Sequence, residues 1–493
     1  MKIYNQIVKG LATKTFFWFV WCLSVVQAGW IAISSRYPMA FDEAYHLEII
    51  KLHSKMLSPI FLQQPEGPAT YGALVRDPSF IHHYLLSIPW RLFEYLGFSE
   101  FTSVVSLRFI NIAMFAGGLF LFWKLLSYTK ASRAAINVSL FFFIMIPTVP
   151  LLAGQINYDN LQFLLLPLTL IYSVKFLRNL NKNKFDATSL FLSVSLAVIG
   201  SLNKFTFLPF LTAIVVWYLI AIILKLKSGK LKIGKLKKQW LAISTGVRYS
   251  LVTLFVASSS LFVWFYGVNI VVHQNVVAQC GEVLGEDRCQ TYGPWARNHR
   301  YAQQERKVDP NPIKYTIGWV GGMHYRLFFT INGSTGPKLY SNNTAPVVTA
   351  TAAVIGLVGL ILFLKYIRKI IKDEPMLSFM LFVTAIYVIS VWGRNYHDFL
   401  QLGQNVAING RYLQPILPIV ILAFMAGYQR QLFRAPIIKL SLLSVSFILF
   451  LSGGGITGLI HYSSADWYWE GNSFVINANE YLKRIVAPLF VWK

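Results

Sequence analysis

Eleven predominantly apolar runs, beginning near residues 14, 104, 134, 160, 188, 205, 249, 346, 376, 412 and 438, limit what this chain can fold into more than any motif does. A run of about 20 residues is what a helix needs to cross a hydrocarbon core. In that medium the backbone must satisfy its own polar groups, so apolar runs of this length become helices. Residues 14–33 carry one charge, Lys14 at the edge, and no small-residue cleavage site follows them, so they read as an uncleaved first span. With 55% apolar and only 13% charged residues over 493 positions, a soluble core is excluded. The expected fold is an all-α polytopic membrane protein with about 11 transmembrane helices, an odd number that places the termini on opposite sides.

Charge orients these spans. The N-terminal tail and the alternate loops near 124–133, 175–187, 225–248, 365–374 and 429–439 hold 25 of the 45 basic residues, but only Asp186, Asp373 and Glu374 of the 20 acidic ones. The positive-inside rule puts those loops and the N-terminus in the cytoplasm, and the C-terminus and remaining loops on the extracytoplasmic side of a plasma, inner or endoplasmic-reticulum membrane. The net charge of +25 is thus a topological signal spread over short loops, and no nucleic-acid partner is expected. The run from Lys225 to Trp240 interleaves lysines with leucine and isoleucine, as an interfacial helix on anionic lipid does.

Three extracytoplasmic segments exceed what a minimal connection needs: a first loop over 34–103, a second over 273–345, and a tail over 461–493. They divide the chain into an N-terminal membrane module (1–272), the second loop, C-terminal membrane helices (346–460) and the tail. The first loop contains two amphipathic segments. In one, Tyr45, Ile49, Leu52 and Met56 recur at helical spacing. In the other, Phe80, Tyr84, Ile88 and Leu92 form an apolar face, His83, Ser87, Arg91 and Glu94 a polar one, and Trp90 suits an interfacial belt.

The chemistry-bearing residues fall on the same side. Asp42 and Glu43, in FDEAYH, are adjacent and cannot share a helix face, so one can face a cleft while the other caps the helix that follows. A carboxylate beside a lipid surface can serve as a general base toward a hydroxyl or amine; the alternative is capping alone. Tyr158 and Asp159, in GQINYDN, form a polar knot that a turn would also explain. Lys204 and Arg411 run against the positive-inside bias, and cations at such depth are commonly functional, here as ligands for a lipid-linked phosphate. Snorkelling to the interface is the alternative for both. Arg76, Arg394 and His397 are lesser candidates. Cys22 lies within the first span, whereas Cys280 and Cys289, in CGEVLGEDRC, can close a small disulfide ring in an oxidising compartment. Two cysteines without a paired-histidine motif do not make a zinc site, and no cofactor is called for; a single acidic pair leaves a divalent metal admissible but not indicated. Sequons stand at Asn332 and Asn342, and neither a nucleotide-binding glycine loop nor an internal repeat is present.

Three patches, FDEAYHLEII, RDPSFIHHYLLSIP and GRYLQPILP, resemble the GT-C membrane glycosyltransferases, in particular the branch of the protein O-mannosyltransferases and the lipid A aminoarabinose transferase. The resemblance implies a GT-C bundle with amphipathic helices in the first loop, and transfer of a sugar from a polyprenyl-phosphate donor to a lipid, glycan or protein acceptor, with inversion. Asp42 matches the residue regarded as the base in those enzymes and Glu43 its companion, while Tyr412 belongs to the patch similar to their R-Y-L-L-P motif. RDPSF departs from the family pattern: Asp77 stands where a phosphate-contacting lysine is expected, and Ser79 replaces the second proline. The phosphate contact then falls to Arg76, Lys204 or Arg411, and His82 and His83 become substrate contacts. A flippase or transporter of lipid-linked glycans, and a polymerase or ligase of them, are the alternative readings.

Overall fold

The computed structural model describes residues 2–230, 239–304, 306, 308–328, 346–431 and 436–490. It is all-helical; among the described residues the only strand-like pairing is one isolated bridge, between Ser35 and Tyr468. Eight helices are long and apolar enough to cross a membrane: Lys14–Ser34, Glu100–Leu126, Tyr158–Asn181, Phe205–Lys227, Thr245–His273, Val347–Asp373, Pro375–Leu402 and Ile437–Tyr462. The chain is a multi-pass membrane protein.

The other three expected spans are shorter helices: Arg133–Ile144 with 12 residues, Ala187–Asn203 with 17 and Leu417–Gln431 with 15. At about 1.5 Å per residue the shortest reaches only about 18 Å, well under a hydrocarbon thickness. Each packs on neighbouring helices: Ala187–Asn203 along Tyr158–Asn181, and Leu417–Gln431 against Val347–Asp373 and Arg133–Ile144. Ala187–Asn203 still leads from Asp186 in a basic loop to Lys204 at the cavity, and Leu417–Gln431 from the turn of Arg411 to Arg430 at the basic end. The core between them is aromatic, with Phe163 stacked on Phe115 at 4.9 Å and on Phe143 at 5.3 Å.

The basic loops meet at one end of the bundle. The Lys130 amide donates to Glu374, Arg430 pairs with Asp373, Gln429 reaches Ser132, and Lys225 reaches the Asn181 carbonyl and Asn183. One crevice is lined by Asn181, Lys225 and Lys230 together with Pro375 and Met376, which joins the two halves of this basic end. Part of the Lys225–Trp240 run and both sequons lie outside the described residues.

The first loop is packed differently from its expected helical wheel. Tyr45, Ile49 and Leu52 of helix Glu43–Ser54 do cluster with Met56 just beyond it, but beneath Phe61, Tyr71 and Leu74 of the same loop. The opposite face buries Leu47 and Ile50 against Leu86, Trp90, Val104 and Leu107. This helix is enclosed on both sides, and Trp90 is a core residue rather than part of an interfacial belt. Helix Ile81–Tyr95 is turned inside out: His83 and Ser87, expected on a polar outer face, are buried, while Leu85, Ile88 and Leu92 are exposed. The amphipathic rule assumes water outside; where the surroundings are apolar, the polar residues satisfy one another within the bundle.

The second loop docks on the first. Cys280 and Cys289 are disulfide-bonded. The Ala69 amide donates to the Arg288 carbonyl, and the Arg288 guanidinium donates back to Pro65 and Gly67. The tail closes the same end, with the Arg36 amide donating to Trp467.

Candidate functional site

At the end opposite the basic loops lies a cavity of about 540 Å³. Asp42 enters it from a strained turn: Phe41 and Asp42 both have left-handed backbone conformations, φ 64° and 71°. Aspartate tolerates that region, but a bulky phenylalanine does so at a cost on the order of 1–3 kcal/mol, sustained only where surrounding contacts hold it. Two side chains do so here: the Phe41 carbonyl accepts from Asn157 Nδ2 at 3.0 Å and from Arg411 Nη1 at 3.1 Å. The consequence is that Asp42 makes no capping hydrogen bond to the helix it precedes. Its Oδ2 accepts from Arg411 Nη2 at 2.8 Å, and its side chain remains 58% exposed to the cavity.

Glu43, one residue on, faces the other way. It is fully buried and takes four donors: Arg108 Nε at 2.8 Å, Arg108 Nη2 at 2.7 Å, and the amides of Met39 and Ile156 at 2.8 and 3.1 Å. Arg108 Nη1 completes its set on the Ala32 and Ser35 carbonyls. Neither acidic residue is therefore a helix cap: Asp42 presents its carboxylate to the cavity, and Glu43 joins the first helix, the first loop and helix Glu100–Leu126.

Of the other candidates, Tyr158, Lys204, Arg394, Arg411 and Tyr412 line the cavity with Asp42. Lys204 ends helix Ala187–Asn203, where the chain turns extended (φ −157°, ψ 126°) before the next helix begins. Its ammonium is buried, bonded to Asp159 and held 4.4 Å from the Tyr158 ring and 5.1 Å from the Tyr412 ring. Asp159 thus contributes as the partner of Lys204. Arg411 stands in a 3₁₀ turn, Gly410–Leu413, whose glycine lets the turn press on helix Pro312–Phe328. A Cβ at Gly410 would come within 2.5 Å of the Met323 carbonyl oxygen.

Arg76, His82, His83 and His397 are not brought to the cavity. Arg76 lies over Trp264 at 5.4 Å. His397 is on the surface, 3.8 Å from Asp398, which does line the cavity. Asp77 caps its own turn by accepting from the Ser79 amide at 2.8 Å. Burial raises its pKa, and hydrogen bonds from Ser79 and Tyr45 offset part of the rise.

His82 and His83 belong to a buried polar seam under the site. His83 Nδ1 lies 3.0 Å from the Ser79 carbonyl, which must be a donor contact, so its Nε2 accepts from His46 Nδ1 at 2.9 Å. His82 Nε2 donates to Asn111 Oδ1 at 3.0 Å. Burial, reinforced by the neighbouring histidines, holds His46 and His83 well below the ordinary histidine value, and burial pushes His82 down to about 4, so the seam is neutral. It fixes helix Glu43–Ser54, and with it Asp42, against helices Ile81–Tyr95 and Glu100–Leu126.

Sequence reasoning missed Arg108, His46 and Asn111, as well as Tyr292, Arg297 and Arg326 of the cavity wall. Arg108 was findable, because an arginine inside an apolar run is a functional signal by its cost alone. Arg297 and Arg326 stand in a long loop without a motif, and nothing local distinguishes them.

Fold and site together define a helical membrane protein with a polar, cation-lined cavity at one end. Comparison with protein-family models, with curated proteins and with solved structures gives no match to this chain.

Proposed function

We propose that this protein is a GT-C-type glycosyltransferase, which moves a sugar from a polyprenyl-phosphate donor to an acceptor on the extracytoplasmic face. The observation that carries this reading is Asp42. A carboxylate is delivered by a strained turn into a cavity that also holds five cationic side chains, Lys204, Arg297, Arg326, Arg394 and Arg411. Strain retained at a cavity wall is characteristic of functional positions. Adjacent base and cations are what displacement of a phosphate requires.

In the proposed step one oxygen of Asp42 stays on Arg411 and the other accepts the proton of the acceptor hydroxyl. The hydroxyl oxygen bonds to the anomeric carbon as the carbon–oxygen bond to phosphate breaks, and the bonding electron pair leaves on the phosphate. Arg411, paired with Asp42, and Lys204, in the same cavity, stabilise that developing charge. One displacement gives inversion. The cavity lies opposite the basic loops, which under the positive-inside rule supports chemistry outside the cytoplasm.

Purified protein in detergent micelles is expected to form glycosylated product from a polyprenyl-phosphate sugar, tested over several donors and acceptors. A flippase needs a sealed bilayer and makes no new bond, so donor transport in vesicles without product in micelles would replace the enzyme reading. Orientation is tested by single cysteines in a Cys22→Ser background: Lys230→Cys is expected to be protected from an impermeant reagent added outside, and Arg300→Cys to react. The reverse pattern would place the cavity in the cytoplasm.

A further inference from the structure

The cavity carries more positive charge than one lipid-linked phosphate can balance. Two of its five cations are already neutralised, Arg411 by Asp42 and Lys204 by Asp159. The other three have no carboxylate partner among the described residues. Arg297 is bonded only to Asn298, at 3.0 and 3.1 Å, and Arg394 lies over the Phe205 ring at 4.3 Å. They arrive on three separate helices, Gly293–Ala302, Pro312–Phe328 and Pro375–Leu402, so their convergence is a product of the fold. Against these three arginines the lining offers one further carboxylate, Asp398. A sugar joined to a polyprenyl phosphate is a phosphodiester with a single negative charge, which leaves one positive charge unbalanced.

Resting on the glycosyltransferase reading, we propose that the substrates bring two anionic groups to this cavity, and that Arg297, Arg326 and Arg394 form the subsite for the second. Its ligand is a phosphate or carboxylate, which guanidinium forks bind through paired, charge-assisted hydrogen bonds. Two sources share that chemistry: an anionic acceptor, or the second phosphate of a polyprenyl-pyrophosphate donor. Arg326 and Arg394 are exposed, so replacing them tests the subsite without opening the core.

The probes are farnesyl phosphate, farnesyl pyrophosphate and sn-glycerol 1-phosphate, the last added with saturating farnesyl phosphate and with glycerol as control; binding is measured by calorimetry in micelles. A subsite for a donor pyrophosphate makes the pyrophosphate bind about tenfold or more tightly than the monophosphate. A subsite for an acceptor makes glycerol phosphate, but not glycerol, bind alongside farnesyl phosphate. In either case Arg326→Gln and Arg394→Gln each reduce the effect about tenfold and Arg394→Lys restores part of it, with unchanged elution profiles. The subsite is overturned if wild-type protein shows neither effect, or if the glutamine variants keep it. Loss of anion binding in those variants without sugar transfer from any donor would retain the subsite and reject the glycosyltransferase; transfer with unaltered anion binding would do the opposite.

Discussion

Asp42→Asn is expected to lower sugar transfer by about 10²–10⁴-fold, the usual range for loss of a general base, in protein that is otherwise folded and inserted. The substitution is selective for geometric reasons. Asparagine tolerates the left-handed conformation as well as aspartate does, so the turn at φ 71° is undisturbed. Since Asp42 makes no capping hydrogen bond, the amide forfeits none. The lost ion pair with Arg411 is screened by solvent at its aspartate end, so its loss is expected to cost less than breaking a fully buried pair. Single-turnover kinetics and thermal unfolding on the same preparation separate the two effects. Near-normal turnover in Asp42→Asn would remove the base from the mechanism.

The largest stability effect is expected one residue later. Glu43→Gln or Arg108→Met should destabilise the protein by about 3–5 kcal/mol, because each leaves a buried charge without its partner. The pair is fully enclosed, and its hydrogen bonds tie helix Lys14–Ser34, the first loop and helix Glu100–Leu126 to one point. Combining the two substitutions removes both charges, so the double variant should be less destabilised than the single effects summed. Thermal unfolding in detergent measures all three. Additive losses would mean that the two residues act independently, contrary to their 2.7 Å contact.

These neighbouring carboxylates show how far local reading goes. FDEAYH marked the segment that reaches the cavity, yet nothing local assigns one carboxylate to a cavity and the next to a buried arginine. That division depends on the left-handed turn at Phe41 and Asp42, held by Asn157 and Arg411, residues 116 and 370 positions away. The histidines were misplaced for a related reason. A helical wheel sorts side chains by polarity against an assumed aqueous exterior, whereas His46 pairs with His83 and His82 with Asn111 inside the bundle.

By itself the sequence determined the helical membrane class, the gathering of the basic loops at one end, the cystine pair and five residues that line the cavity beside Asp42. Each of these follows from properties carried along the chain: hydropathy sums over about 20 consecutive residues, and charge is retained on one side loop by loop. Tertiary structure alone decided which carboxylate meets the cavity, and that Arg297, Arg326 and Arg394 converge there from three helices. Those outcomes rest on contacts between residues far apart in the chain, where packing and the pairing of buried charges choose among arrangements that local patterns leave equally open.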